Sequence, residues 1–221
     1  MVVSDDYKYL FLEMPFTAST ATSRELIDHY KGKRVFDRRH APYDQFRRIA
    51  SPEQRNYFVF AGVRNPLDTV ITTYLKSIRK GLIPEDLDFP TYFDKKFRLP
   101  YANFMSLSAG HIDFLIRYES LQADFENCLK QMEIEKVRPL PSRNRTNEKS
   151  KHYLEYYTAD IIPKAKRIFG PFMKEWGYDL PTQWGEYELS DVARATYRIT
   201  RAAKVAWWSA VWQWKISPQP V

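Results

Sequence analysis

A single cysteine, Cys128, is all that the 221-residue chain contains, so no intrachain disulfide can form. The four histidines, His29, His40, His111 and His152, are scattered and show no zinc-ligand spacing, so no metal is expected. Glycine is scarce too: there are 7, and the first is Gly32. Neither a G-x-x-x-x-G-K-[ST] phosphate loop nor a G-x-G-x-x-G fingerprint can then lie near the N-terminus, which removes ordinary kinase, GTPase and dinucleotide-binding folds. No stretch approaches the ~18 uncharged apolar residues of a membrane-crossing helix. The first residues, MVVSDDYKYLFLEMPF, carry two aspartates before a short apolar run, unlike a secretory signal, and point to a cytoplasmic protein.

What is present is ordinary globular material with a basic surplus. Hydrophobic residues at 44% and charged residues at 28% exclude a disordered, fibrous or membrane-embedded chain. Lys+Arg 34 against Asp+Glu 27 leaves a formal charge of +7, which suits an anionic ligand or surface without selecting one. The basic residues are dispersed, and a nucleic-acid partner is not expected.

Residues 7–13 (YKYLFLE) read as a buried strand ending at Pro15, and the hydroxyl-rich TASTATSRELIDHY that follows suits a helix start. Residues 33–37 (KRVFD) read as a second strand, followed by a loop into a helix over HAPYDQFRRI. Residues 56–63 (NYFVFAGV) read as a third strand, and Pro66 opens a helix to about Arg79. Strand-to-helix units with loops at the strand C-termini argue for an α/β, doubly wound parallel sheet. Residues 82–110 show no period and suit a cap. Residues 112–117 read as a fourth strand, 121–132 as a helix, 138–150 as a basic loop, and 153–169 as a helix interrupted near Pro163.

The tail differs in composition. Five of the six tryptophans (Trp184, Trp207, Trp208, Trp212, Trp214) lie there, beside Arg194, Arg198, Arg201 and Lys204. The spacing predicts one long helix from about Asp191, with Val192, Ala195, Ile199, Ala203, Ala206, Ala210 and Trp214 as an apolar stripe. Two readings follow: a helix packed on its own domain by that stripe, or an interfacial or acceptor-docking arm over 191–215 that associates the protein with a membrane surface. The domain division expected is 1–181 for the α/β body and 182–221 for a C-terminal helical extension.

Two anion-binding elements stand out. The segment 14–21 (MPFTASTA) places small and hydroxyl residues at a predicted helix N-terminus, where backbone N–H groups, the helix dipole and the hydroxyls of Thr17, Ser19 and Thr20 can hold a phosphate without a glycine-rich turn. The third strand ends in GVRNPLDTVITTYLK, with Arg64 at its C-terminus and Thr72 two helical turns after Asn65, a pair suited to a second phosphate.

In order and spacing these elements resemble the sulfotransferases that use 3′-phosphoadenosine 5′-phosphosulfate (PAPS), particularly the heparan-type 2-O-sulfotransferases and their bacterial relatives. That family's P-K-T-A-S-T-S loop is similar to Pro15-Phe16-Thr17-Ala18-Ser19-Thr20-Ala21, and its R-[DN]-P-x-[DE]-R-x-x-S-x-Y element to residues 64–74, with Thr72 keeping the hydroxyl and Thr69 replacing the second arginine. Residues 116–121 with Asp124 and Phe125 resemble I-R-[FY]-E-x-L-x-x-D-F, and 143–149 (RNRTNEK) a late basic loop over the nucleotide. The matches span residues 7 to 180. The resemblance implies a P-loop-like sheet flanked by helices. It implies that Thr17, Ala18, Ser19, Thr20 and Ala21 hold the 5′-phosphosulfate, Arg64 and Thr72 the 3′-phosphate, and Arg145, Thr146 and Lys149 the closing loop. It also implies a product, 3′,5′-adenosine bisphosphate (PAP), and an acceptor that is a carbohydrate hydroxyl.

Sulfuryl transfer needs a general base at the same sheet edge. His40 lies just after the second strand, in HAPYDQF, which resembles the family's H-V-S-Y-L-D-F segment with its catalytic histidine. Phe16 departs from the pattern, standing where the family has a lysine or arginine for the leaving phosphate. Arg38, Arg39 and Lys149 are the candidates to replace that charge. The alternative is a nucleotide-binding or membrane-docking protein on the same fold, its chemistry removed by Phe16.

Overall fold

The computed structural model describes residues 1–103, 108, 111–141 and 151–213. The chain forms two compact units, one of Met1–Arg64, Asn103–Asn144 and Ala203–Val221, the other of Asn65–Ala102 and Arg145–Ala202. This division cuts across the expected boundary at residue 181. Arg145, Thr146, Lys149 and Trp214 lie outside the described residues.

The first unit is built on a five-stranded sheet: β1 (Val2–Ser4), β2 (Tyr9–Leu12), β3 (Lys33–Arg34), β4 (Phe58–Val63) and β5 (Phe114–Arg117), in the order β3-β1-β2-β4-β5. The pairs β2/β4 and β4/β5 are parallel, with Phe11 opposite Phe60 and Phe60 opposite Phe114. The wholly parallel sheet expected from the sequence needs correcting, because β1 runs against both β2 and β3. Three residues are too few for alternation to be read, and β1 exists because Asp5 to Lys8 turn the chain straight back, setting Val2 opposite Phe11. Lys8 takes a positive φ of 52° in that turn. The second expected strand shortens to two residues paired with β1.

In the first unit, α1 (Ser19–His29), α2 (Tyr43–Ile49) and α5 (Leu121–Gln131) flank this sheet. Tyr9, Phe11, Leu26, Phe60, Phe125 and Leu129 form its core. Burying each of these larger apolar side chains is worth about 1.5–3 kcal/mol. Cys128 is fully enclosed in the same core, where burial pushes its thiol far up, so it acts as a small apolar filler. Tyr9 spans the layer, its ring on Phe60 and its hydroxyl donating to the Tyr30 carbonyl at 2.9 Å.

Glu13, at the end of β2, is one of two buried carboxylates among the described residues of this unit, the other being Glu25 on α1, which accepts from Arg138. The Glu13 side chain is fully buried and accepts from Ser23 Oγ on α1 at 2.7 Å, from Arg34 Nη1 at 3.1 Å and from the Met1 ammonium at 2.7 Å. Burial by itself would raise its pKa, but the Met1 ammonium, Ser23 and Arg34 outweigh burial and hold it below the usual carboxylate value.

The second unit holds α3 (Pro66–Arg79), α4 (Phe89–Lys96) and α6 (Ile162–Glu175), together with the first half of α7 (Asp191–Gln213). The boundaries of α3 agree with expectation: Pro66 opens it and Asn65 Oδ1 accepts from Leu67 N at 3.0 Å. The unreadable segment contains α4, capped by Asp88 accepting from Thr91 N at 2.7 Å. The expected helix at 153–169 divides into a single turn at Tyr153–Tyr156 and α6, with Pro163 in its first turn. Phe89, Phe93, Tyr157 and Phe169 pack ring against ring between these elements.

In α7 the expected stripe faces the wrong way to be core: Ala193 and Tyr197 are buried, while Val192 and Ile199 are 76% and 71% exposed. Tyr197 buries a ring and donates to Glu175, which also pairs with Arg201, and this outweighs the little area that a row of alanines would remove from water.

Glu13→Gln should lower unfolding stability by about 3–5 kcal/mol, the usual penalty for removing one partner of a buried ion pair. Denaturant melts at neutral pH check this. Because the native pKa of Glu13 is depressed, its contribution is present above the ordinary carboxylate pKa and is lost as pH falls through the native one. The variant should therefore lose part of the wild-type acid sensitivity.

Candidate active site

The site expected from the sequence begins where β2 stops. Pro15 ends the strand, and the backbone enters α1 through two residues in the left-handed region, Phe16 (φ 66°) and Ala18 (φ 60°). Non-glycine residues there carry about 1–3 kcal/mol of strain each, and such turns curl N–H groups into anion-binding concavities. Thr17 sits between them with its hydroxyl donating to the Met14 carbonyl at 2.8 Å, so its proton is already committed. Ala21 N and Thr22 N bond the Ala18 carbonyl, while the N–H groups of Ser19 and Thr20 precede any available helix carbonyl. The positive end of α1 thus faces the loop with two donors and the Thr20 hydroxyl.

The loop lies directly on β4. A Cβ at Gly62 would stand 2.4 Å from Thr17 Oγ1 and 2.7 Å from Thr17 Cβ, so this position has room only for glycine. Arg64, immediately after β4, is 8% exposed. Its Nη1 donates to the Phe16 carbonyl at 3.2 Å, and its guanidinium stacks 4.1 Å from the Tyr118 ring. It braces the loop over residues 14–21, whereas the sequence assigns it to a second, separate phosphate.

His40 and Arg39 approach from the segment after β3. The His40 Nδ1 is 2.7 Å from the Glu13 carbonyl, which can only accept, so Nδ1 carries the proton in the neutral ring and Nε2 carries the lone pair. Burial, first of all, holds the His40 pKa below its usual value; the Met1 ammonium and Arg39 act in the same direction, against the carbonyl bond and the Glu13 charge. His40 is therefore a neutral base at pH 7, in a left-handed conformation (φ 63°) that its neighbours impose. Arg39 Nη1 donates to Thr20 Oγ1 at 2.7 Å, placing a guanidinium at the α1 N-terminus. Arg38 is exposed and takes no part in this bonding.

Thr72 belongs to the second unit, where it is fully buried with its hydroxyl donating to the Asp68 carbonyl of its own helix at 3.0 Å. Threonine inside a helix back-bonds four residues upstream, as Thr69 and Thr73 also do. A groove of about 690 Å³ in the second unit, lined by Gly170, Tyr178, Tyr187 and Arg194 among others, contains none of the expected site residues.

Three contributors were missed in the sequence. Glu13 could have been noticed as a carboxylate closing an apolar strand, and Gly62 as a glycine within one. Tyr118 was legible only as part of the 116–121 run, with no contact to Arg64 attached to it. Comparison with family models, curated proteins and solved structures finds no match to this chain. As it stands, the geometry can hold an anion at the α1 N-terminus and accept a proton close by.

His40 should titrate below the ordinary histidine value in an NMR pH series, and Arg39→Gln should move the midpoint upward by removing a like charge. Gly62→Ala should displace Thr17 and destabilise the protein by about 1–3 kcal/mol, the usual range for overpacking. Loss of phosphate-analogue binding in the still-folded variant would tie that glycine to the loop.

Proposed function

We propose that the protein is a PAPS-dependent sulfotransferase acting on a hydroxyl of a carbohydrate or glycoconjugate, on a P-loop-like fold. One observation carries this reading: consecutive residues, Arg39 and His40, bond to the anion loop and to the strand end that feeds it. A cation and a neutral base are thereby anchored to one short turn.

In this proposal the N–H groups of Ser19 and Thr20 and the Thr20 hydroxyl hold the 5′-phosphosulfate of the donor substrate, within the loop formed by Thr17, Ala18 and Ala21. His40 Nε2 takes the proton of the acceptor hydroxyl. The acceptor oxygen then forms the new bond to sulfur, the bond from sulfur to the bridging oxygen breaks, and its electron pair leaves with PAP. Positioning and electrostatics supply most of the rate, as in phosphoryl transfer. Arg39 meets the charge developing on the leaving phosphate, the task that Phe16 cannot perform. Arg64 is assigned the 3′-phosphate together with its bracing of the loop; Thr72, Arg145, Thr146 and Lys149 rest on the resemblance alone. The apolar side chain of Phe16 favours a second reading, a nucleotide-binding protein of the same fold that does not turn over.

Calorimetric titration of PAP, with AMP as control, tests the donor site. PAP should bind in preference to AMP, and Arg64→Ala should weaken it by about 1.5–3 kcal/mol, the value of hydrogen bonds to a charged group. No PAP binding by folded protein would overturn the proposal. With labelled PAPS and a glycan panel, His40→Ala should lower transfer by about 10²–10⁴, and Arg39→Ala by about 10²–10³. PAP binding with no transfer until Phe16→Lys is introduced would establish the second reading.

A further inference from the structure

Helix α7 presents an apolar face for which the described residues provide no cover. Val192, Ala195, Ile199, Ala202 and Ala206 succeed one another at three- and four-residue steps, all exposed, with Trp207 at the edge and 58% exposed. At 1.5 Å per residue the helix is about 34 Å long. It is not apolar enough to cross a membrane.

Charge selects the occupant. From Val192 to Gln213 the helix has no Asp or Glu, but it carries Arg194, Arg198, Arg201 and Lys204. Arg201 is tied to Glu175, and Lys204 is half-buried. Arg194 and Arg198 remain exposed along one border of the apolar face. Arg194 lies 3.9 Å from Asp191 and donates to the Leu189 carbonyl; Arg198 makes no ion pair among the described residues. A second copy packed face to face would bring together two helices that each carry four basic residues against one carboxylate, Asp191, so self-association is disfavoured. A lipid bilayer with anionic headgroups matches the face and its basic border: shallow aliphatic groups and an indole enter the acyl boundary, and arginines meet the phosphates.

We propose that α7 lies on anionic membrane surfaces through this face, with Ile199 and Trp207 inserted and Arg198 at headgroup level. The attachment is peripheral and reversible, and independent of the catalytic reading.

Vesicle co-sedimentation of the full chain tests it, with phosphatidylcholine alone and with phosphatidylcholine containing phosphatidylglycerol. The wild type should bind only the anionic vesicles. Arg198→Ala should weaken partitioning about fivefold, the value of one basic residue at such a surface. Ile199→Asp should weaken it more, with the thermal melt unchanged because the position is exposed. No binding, equal binding to neutral vesicles, or binding indifferent to both substitutions would overturn the proposal. A concentration-dependent dimer in sedimentation velocity, lost in Ile199→Asp, would overturn it in favour of a second copy.

Discussion

Glu13 faces two ways, and the first unit is organised around that fact. Its carboxylate, fully buried, gathers Ser23 from α1, Arg34 from β3 and the Met1 ammonium. Its carbonyl accepts the proton of His40 Nδ1. A buried carboxylate without such partners would be prohibitively unfavourable, so the position of α1 and the path of the chain after β3 are both fixed by the need to satisfy it. The same residue that locks the end of β2 also decides which nitrogen of His40 carries the proton.

The loop that follows concentrates strain. Phe16, Ala18 and His40 all adopt left-handed backbone within one small region. Gly62 permits Thr17 to sit on β4, Arg64 secures the Phe16 carbonyl, and Arg39 secures Thr20. Such over-determination is what holds non-glycine residues in sparse conformations. It also explains how a loop with left-handed residues can exist here without glycine: neighbouring side chains impose the curvature that a glycine would permit.

The tail shows how burial is decided by competition. Alanines and two aliphatic residues form the more regular apolar pattern, but a single tyrosine with a carboxylate partner gains more by going inside. Tyr197 and its bond to Glu175 therefore set the rotation of α7, and the regular stripe turns outward. Periodicity identifies a face; it does not say which face wins when a larger ring lies on the other side.

Much of this could be read directly from the chain. Pro66 and Asn65 determine the start of α3 by local chemistry, β2, β4 and β5 follow from short β-rich apolar runs, and the start of α7 follows from its period. The order of loop, histidine segment and Arg64 was legible because those residues are close to strand ends, where an α/β sheet gathers its functional groups. What depended on distant partners was not legible. β1 takes its direction from the strand that returns beside it, Thr72 gives its hydroxyl to its own helix, and Arg39 and His40 acquire their roles from Thr20 and Glu13, 19 and 27 residues away. The sequence by itself determined which elements form and which residue types reach the site. Only the tertiary structure decided the tautomer of His40, the guanidinium on Thr20 and the outward face of α7, because each depends on which groups compete for the same buried space or the same hydrogen bond.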